Sequence, residues 1–290
     1  MIMADRWRSA VCFSLLLIAA ASSPASAAET AQQILDRREA IDAGARWWND
    51  RYQRMHLTVE EAGTAPRHLT LETYDRRQHG RQQQSLVIFL APAAKAGIAL
   101  LGHTQGGAAA AQWLYMPETA RVRQVAPSAR MNRFDITDFT YHDLDVLTDM
   151  THWKDADARS TLLPPEIIDG VACHVIDLEP RLEHVAYGRI RLWLGGEDLV
   201  ARQIEFYVRT EVPGLLARFF GDNESADDRP IRRFRQKDIR NVGPIPVAYR
   251  IEAESPPDDS RTIVEILDVS FDRGLTDAFF SPGSLGTKTH

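Results

Sequence analysis

Residues 171–208, VACHVIDLEPRLEHVAYGRIRLWLGGEDLVARQIEFYV, decide the fold. Three runs within it, 171–178, 187–194 and 199–208, are strand-like and rich in β-branched, aromatic and leucine side chains. Gly195-Gly196-Glu197-Asp198 between the last two is a hairpin turn. The same texture extends outward in both directions. Toward the C-terminus, 231–239, 246–254 and 262–271 continue as strands. Toward the N-terminus, 52–60 and 68–74 alternate apolar and polar residues across the turn-like Gly63-Thr64-Ala65-Pro66. Further strands are expected at 85–90, 98–101, 113–116 and 153–162. Only 30–48 reads as a clear helix, with Thr30 and Gln33 suited to a capping box. Residues 127–151 read as a loop with a short helix near Tyr141-His142-Asp143-Leu144, and 215–228 as a loop or short helix. No helix able to cross between parallel strands recurs, which disfavours a βαβ architecture. The expected fold class is mainly β (α+β): an open, curved antiparallel sheet with a few helices.

The start of the chain reads as an export signal. Arg6 and Arg8 precede an apolar run at 10–21, followed by Pro24 and the small residues Ala25-Ser26-Ala27. That run of about a dozen residues is too short for a bilayer, which needs roughly twenty. Cleavage is expected before Ala28, giving a signal peptide at 1–27 and a single domain at 28–290. Cys12 lies inside the run and cannot become an acylated first residue. A soluble, monomeric, periplasmic protein is expected.

The formal charge of −6 becomes −7 once Asp5, Arg6 and Arg8 are removed. An acidic balance favours solubility and argues against general nucleic-acid binding. Cys173 is then the one remaining cysteine, so no intramolecular disulfide is available. Its place in a strand-like run points to a buried, inert thiol. H-E-x-x-H and C-x-x-C motifs are absent from the sequence, and neither a metal nor another cofactor is expected. Leu100-Leu101-Gly102-His103-Thr104-Gln105-Gly106-Gly107 resembles a nucleophile elbow with threonine in place of serine. A β-branched residue is poorly suited to the strained backbone of an elbow, and the surrounding parallel sheet is missing. The stretch is read instead as a glycine-rich connection between antiparallel strands.

Two segments stand out: Trp113-Leu114-Tyr115-Met116-Pro117 with Arg121-Val122-Arg123-Gln124, and Asp138-Phe139-Thr140-Tyr141-His142-Asp143-Leu144. They resemble the W-x-Y-x-P strand, basic segment and D-F-x-Y-x-D-L segment of the outer-membrane lipoprotein-sorting-like family, which includes the periplasmic carrier LolA and a treponemal lipoprotein. Arg191-Leu192-Trp193-Leu194 and the tail Asp277-Ala278-Phe279-Phe280 extend the resemblance over about 31–285. One departure is Met131-Asn132-Arg133-Phe134-Asp135-Ile136-Thr137, where the family has a small, glycine-containing stretch. The resemblance implies an open, incomplete antiparallel β-barrel with covering helices. It further implies a non-enzymatic carrier of a lipid, lipoprotein or other apolar cargo. The alternative it leaves open is an adaptor of an inner-membrane RND-type exporter without cargo of its own, and a hydrolase using Thr104 is a remote third reading.

An acyl chain in water costs roughly 0.8 kcal/mol per exposed CH₂, so a carrier needs an apolar pocket. Alternation nominates Leu86, Ile88 and Leu90, Leu114 and Met116, and Leu192 and Leu194 as its lining. Trp113 and Tyr115 have the opposite parity and are expected to pack under a helix. Asp138, Tyr141 and Asp143 are candidates for a docking surface or loop latch; alternatively, the aspartates cap a turn or helix and Tyr141 packs. Arg229, Arg232, Arg233, Arg235, Lys237 and Arg240 form a basic cluster that reads either as an anion-facing patch or as a solvated edge strand.

Overall fold

The computed structural model describes residues 29–78, 81–209 and 229–287. The proposed signal segment and the 215–228 loop lie outside the described residues. Among the described residues, thirteen strands form a single sheet. Strands β1 (Asp50–Glu61), β2 (Arg67–Gln78), β3 (Gln82–Ala91), β4 (Ala99–Gln105), β5 (Ala111–Met116) and β6 (Arg121–Gln124) make one meander. A second consists of β7 (Ala158–Ile168), β8 (Val171–Pro180), β9 (Tyr187–Gly195), β10 (Ala201–Val208), β11 (Arg232–Val242), β12 (Ile245–Ser255) and β13 (Ser260–Phe271). The two meanders join where β1 pairs with β13, in the order β6-β5-β4-β3-β2-β1-β13-β12-β11-β10-β9-β8-β7. Every neighbouring pair is antiparallel. β6 and β7 remain as edges, so the sheet is open, as the sequence and its resemblance imply.

Both edges carry features that discourage further pairing. β6 is exposed along its length and presents Arg121 and Arg123. β7 breaks register between Leu163 and Glu166, where Pro164 and Pro165 remove two ladder donors. β6 was not foreseen as a strand because four exposed residues offer no apolar alternation. The strand expected at 153–162 starts only at Ala158, and Trp153 is instead a buried residue of the preceding segment. The stretch read as a glycine-rich connection is strand through Gln105.

Helix α1 (Ala31–Ala43) begins with the foreseen capping box: Gln33 N–H donates to Thr30 Oγ1 and Thr30 N–H to Gln33 Oε1. It stops short of Trp48, since the Gly44 amide returns to the Ile41 carbonyl. Helix α2 (Tyr141–Asp149) has a second capping box, built from Thr140 and Asp143. One apolar core lies between these helices and β8–β11, around Ile34, Val146, Ile190 and Phe206. Another lies between β1–β4 and the segment before α2, around Leu57, Leu71, Phe89 and Phe134. A third lies on the other face of β3–β5, where the tail residues Phe280 and Leu285 cover Leu86, Leu101 and Tyr115. The first meander is therefore packed on both faces.

The tail reaches that position through Asp50. Its buried carboxylate accepts the backbone N–H groups of Arg273, Gly274 and Leu275 at 2.8, 2.9 and 3.0 Å. Asp50→Ala leaves three amides without their acceptor, and a loss of about 2 kcal/mol in urea unfolding is expected.

The basic cluster is not on an edge. β11 lies between β10 and β12, and Arg233 pairs with Glu205 (2.6 Å) and Glu254 (3.1 Å). Lys237 reaches Glu252 at 2.9 Å. The charges form a cross-strand ladder across the middle of the sheet. Cys173 is buried among Val175 and Trp193, and burial pushes its thiol up.

Candidate functional site

Strand register arranges the inner face of the first meander in rows. Met55 lies opposite Leu71, and Leu71 opposite Phe89. In the next row Gln53, Thr73, Val87 and Leu100 follow one another across four strands. The row after that is Arg51, Asp75, Ser85, Gly102 and Gln112, and the last is Arg77, Gln83 and Thr104. Successive same-face residues advance two positions, so from Leu57 to Arg51 the lining runs about 20 Å along one strand. Over that length it passes from apolar, through uncharged polar, to cationic.

These rows floor a cavity of about 430 Å³, inside the roughly 300–1,000 Å³ range of small-molecule sites. At its apolar end the floor continues through Val264, Ile251, Phe234 and Ile204 of the second meander. The roof is the segment before α2, α2 itself and its C-cap, through Phe134, Phe139, Leu144, Leu147 and Met150. Arg38 from α1, together with Trp48, closes the opposite end.

That polar end is densely charged. Arg51 donates through Nε and Nη2 to Asp75 Oδ2 at 3.1 and 2.7 Å, while Ser85 Oγ donates to Asp75 Oδ1 at 2.8 Å. The guanidinium carbons of Arg77 and Arg51 lie 4.0 and 5.1 Å from the Trp48 ring centroid, within cation–π range. Burial, and then the charge of Arg51, push Arg77 down to about 10. Burial also lowers Arg38, against the pull of Asp42 at 3.7 Å. Arg77 Nε, Thr73 Oγ1 and Gln112 Oε1 are buried without a hydrogen-bond partner among the described residues, and all three residues line the cavity. Such groups cost free energy unless something meets them.

The lining differs from the one nominated by alternation. Leu86, Ile88 and Leu90 face the other side of β3, against the tail. Leu114 packs on the inner core without bordering the cavity, and Met116 ends β5 half-buried. Leu192 and Leu194 are fully buried in the solid core of the second meander. The physical reason is that the most apolar face of β3 is sealed by Phe280 and Leu285, whereas its mixed face, Gln83-x-Ser85-x-Val87, borders the hollow. Trp113 and Tyr115 pack on that outer side, under the tail's 3-10 turns. The Trp113 ring lies 5.0 Å from His103, whose Nε2 donates to the Phe280 carbonyl at 2.7 Å.

The D-F-x-Y-x-D-L residues fasten the roof. Asp138 is fully buried; it accepts from the hydroxyls of Thr262 (2.7 Å) and Ser260, and its own N–H donates to Thr262 Oγ1 at 2.9 Å. Asp143 accepts the Thr140 N–H at 2.6 Å and the Tyr187 hydroxyl, with Arg232 at 3.8 Å. Between them Phe139 stacks on Phe234 at 5.3 Å, and Tyr141 packs edge-on against Phe134 at 5.6 Å. Thr104 is buried, lines the cavity and sits within β4 opposite Gln83, not at a strand-to-helix turn.

A family model described as "Uncharacterized protein" matches residues 81–214. No curated protein matches the sequence. Among solved structures, a domain described as an outer membrane lipoprotein-sorting protein from Vibrio parahaemolyticus superposes with a TM-score of 0.74 at 20% identity. A DUF1329 family protein from Desulfovibrio piger gives 0.74 at 20% identity, and a LolA superfamily protein from Nitrosomonas europaea gives 0.61 at 20%. Each alignment covers 88% of this chain and 98% of the other. At that identity the likeness shows the fold alone, which in this chain is the open antiparallel sheet described above.

Proposed function

We propose that the chain is a non-enzymatic periplasmic carrier that holds the acyl part of a lipid or lipoprotein away from water. The observation that carries this reading is the hollow between the open sheet and its roof, walled at one end by Leu57, Leu71, Val87, Leu100, Phe134 and Phe234. Shielding an acyl chain is worth roughly 0.8 kcal/mol per CH₂, so even a partly enclosed chain gains enough to remain bound during transit. The export-signal pattern at 1–27 supports a periplasmic setting for a single domain at 28–290. The shared fold with a lipoprotein-sorting domain and a LolA superfamily protein supports the carrier role.

Gly102 provides a clean test. It lies in the middle of the cavity floor, and a Cβ built there meets no atom closer than 4.0 Å. Gly102→Phe should therefore direct a ring into the hollow without straining β4, and aromatic residues suit strands. Protein purified from its native envelope is expected to carry a stoichiometric lipid detectable by mass spectrometry. The variant should lose that occupancy about tenfold, the equivalent of roughly 1.4 kcal/mol, while keeping its unfolding midpoint. Equal occupancy in both proteins would reject the reading. A lipid-free protein that co-purifies with an RND-type exporter would favour an adaptor instead.

A further inference from the structure

We propose that the charged end of the cavity is a headgroup site for an acidic amphiphile, with a carboxylate or phosphate seated between Arg77, Arg51 and Arg38 and the tail lying along the apolar rows. The inference rests on the carrier reading and specifies which cargo the carrier would accept.

Four observations converge on it. The lining of this one cavity is graded along the strands, from Leu57 at the apolar end to Arg51 at the cationic end, residues about 20 Å apart along β1. Three arginines, Arg38, Arg51 and Arg77, line the cavity against two carboxylates, Asp75 and Asp145, and behind them Asp42 pairs with both Arg38 and Arg46. This is an excess of positive charge in a chain whose formal charge is −6. The arginines are also held in place: Asp75 fixes Arg51 through a single oxygen, and Trp48 supports both Arg51 and Arg77. Finally, Arg77 Nε is buried and lacks an acceptor among the described residues. A guanidinium that is desolvated, pre-oriented and short of an acceptor is suited to an oxyanion, which it can meet with two parallel N–H groups. An uncharged headgroup can accept that hydrogen bond but cannot balance the buried charge.

The test is a calorimetric titration of the full mature chain with three amphiphiles of equal chain length: a fatty acid, a monoacylglycerol phosphate and an uncharged monoacylglycerol. At least one acidic amphiphile is expected to bind about tenfold or more tighter than the uncharged one, the range of a charge-assisted hydrogen bond. Which acid is preferred identifies carboxylate or phosphate as the source of the anion. Arg77→Gln should bring the acidic and uncharged affinities together, and Arg77→Lys should retain part of the preference, with circular dichroism confirming that both variants fold. Equal affinity for all three amphiphiles would overturn the headgroup site and leave the carrier intact. Inorganic phosphate binding as tightly as the acidic amphiphiles would also overturn it, since the tail would then contribute nothing. Binding of none of the three would overturn both the inference and the carrier reading.

Discussion

Asp143→Ala is expected to lower stability by about 3–5 kcal/mol, the cost of breaking a buried charge pair from one side. Asp143 and Arg232 have side-chain exposures of 0% and 4%. Asp258, a second carboxylate among the described residues at 3.8 Å from Arg232, is 43% exposed and is a poor substitute. The same substitution removes the acceptor of the Tyr187 hydroxyl, in a tyrosine packed 4.6 Å from Phe206 in the core of the second meander. It also removes half of the capping box that starts α2. Burial raises the Asp143 carboxyl, while Arg232, Tyr187 and Thr140 pull it down, so the site tolerates the carboxylate only because those partners surround it. Asp143→Asn retains an acceptor for Tyr187 and should cost less than the alanine change. Equilibrium urea unfolding measures both, and a loss below about 1 kcal/mol for alanine would mean that Arg232 does not depend on this partner. Because α2 supplies Leu144 and Leu147 to the roof, the variant should also release cargo more readily at denaturant concentrations that leave the wild type loaded.

Much of the architecture was legible because it is written in local chemistry. The capping box at Thr30 and Gln33, the Gly195–Asp198 turn and the alternation at 52–60 each report on a few neighbouring residues, and each forms as read. The join between β1 and β13 was not legible, since it pairs residues about two hundred positions apart and leaves no local trace. The cavity lining was not legible for a related reason. Alternation says that β3 has two faces, but which of them meets solvent, tail or hollow depends on where Phe280 and Leu285 dock. Alternation alone points to the more apolar face as the lining, whereas the most apolar face of a protein is ordinarily the one its own chain covers. One signal for the true lining was present. Arg51-x-Gln53-x-Met55-x-Leu57 and Leu71-x-Thr73-x-Asp75-x-Arg77 are two period-two series graded from cation to hydrocarbon, running in opposite directions on consecutive strands. An antiparallel hairpin superimposes such series end for end, and this one does. The roof residues Asp138 and Asp143 could be singled out in the sequence, yet their burial and partners on β13, β9 and β11 could not.

Acid should loosen the protein through His142. This residue sits one turn position before Asp143, is 2% exposed and lies 5.1 Å from the Tyr187 ring. Its Nε2 accepts the Ala186 N–H at 3.0 Å, which requires that nitrogen to be unprotonated. Burial, followed by the charges of His184 and Arg130, lowers His142 to about 4. An unfolded chain would protonate it near 6.5. The folded state therefore binds the proton less readily, and the resulting stability is fully present above pH 6.5 and is lost as pH falls toward 4. The difference between those values corresponds to about 3 kcal/mol. The neighbouring Asp143 works in the opposite sense, since a raised carboxyl favours the folded state in acid and loses that advantage as pH rises. Comparing the wild type with His142→Gln cancels the Asp143 contribution, because both proteins retain it. Urea unfolding at intervals between pH 7 and pH 4 should show the wild type losing stability faster than the variant, with the curves converging near pH 4. Parallel curves would mean that His142 is protonated alike in the folded and unfolded chains. Convergence would place the acid-sensitive contact at the foot of α2, the helix that roofs the cavity, so acidification should weaken cargo retention before it unfolds the sheet.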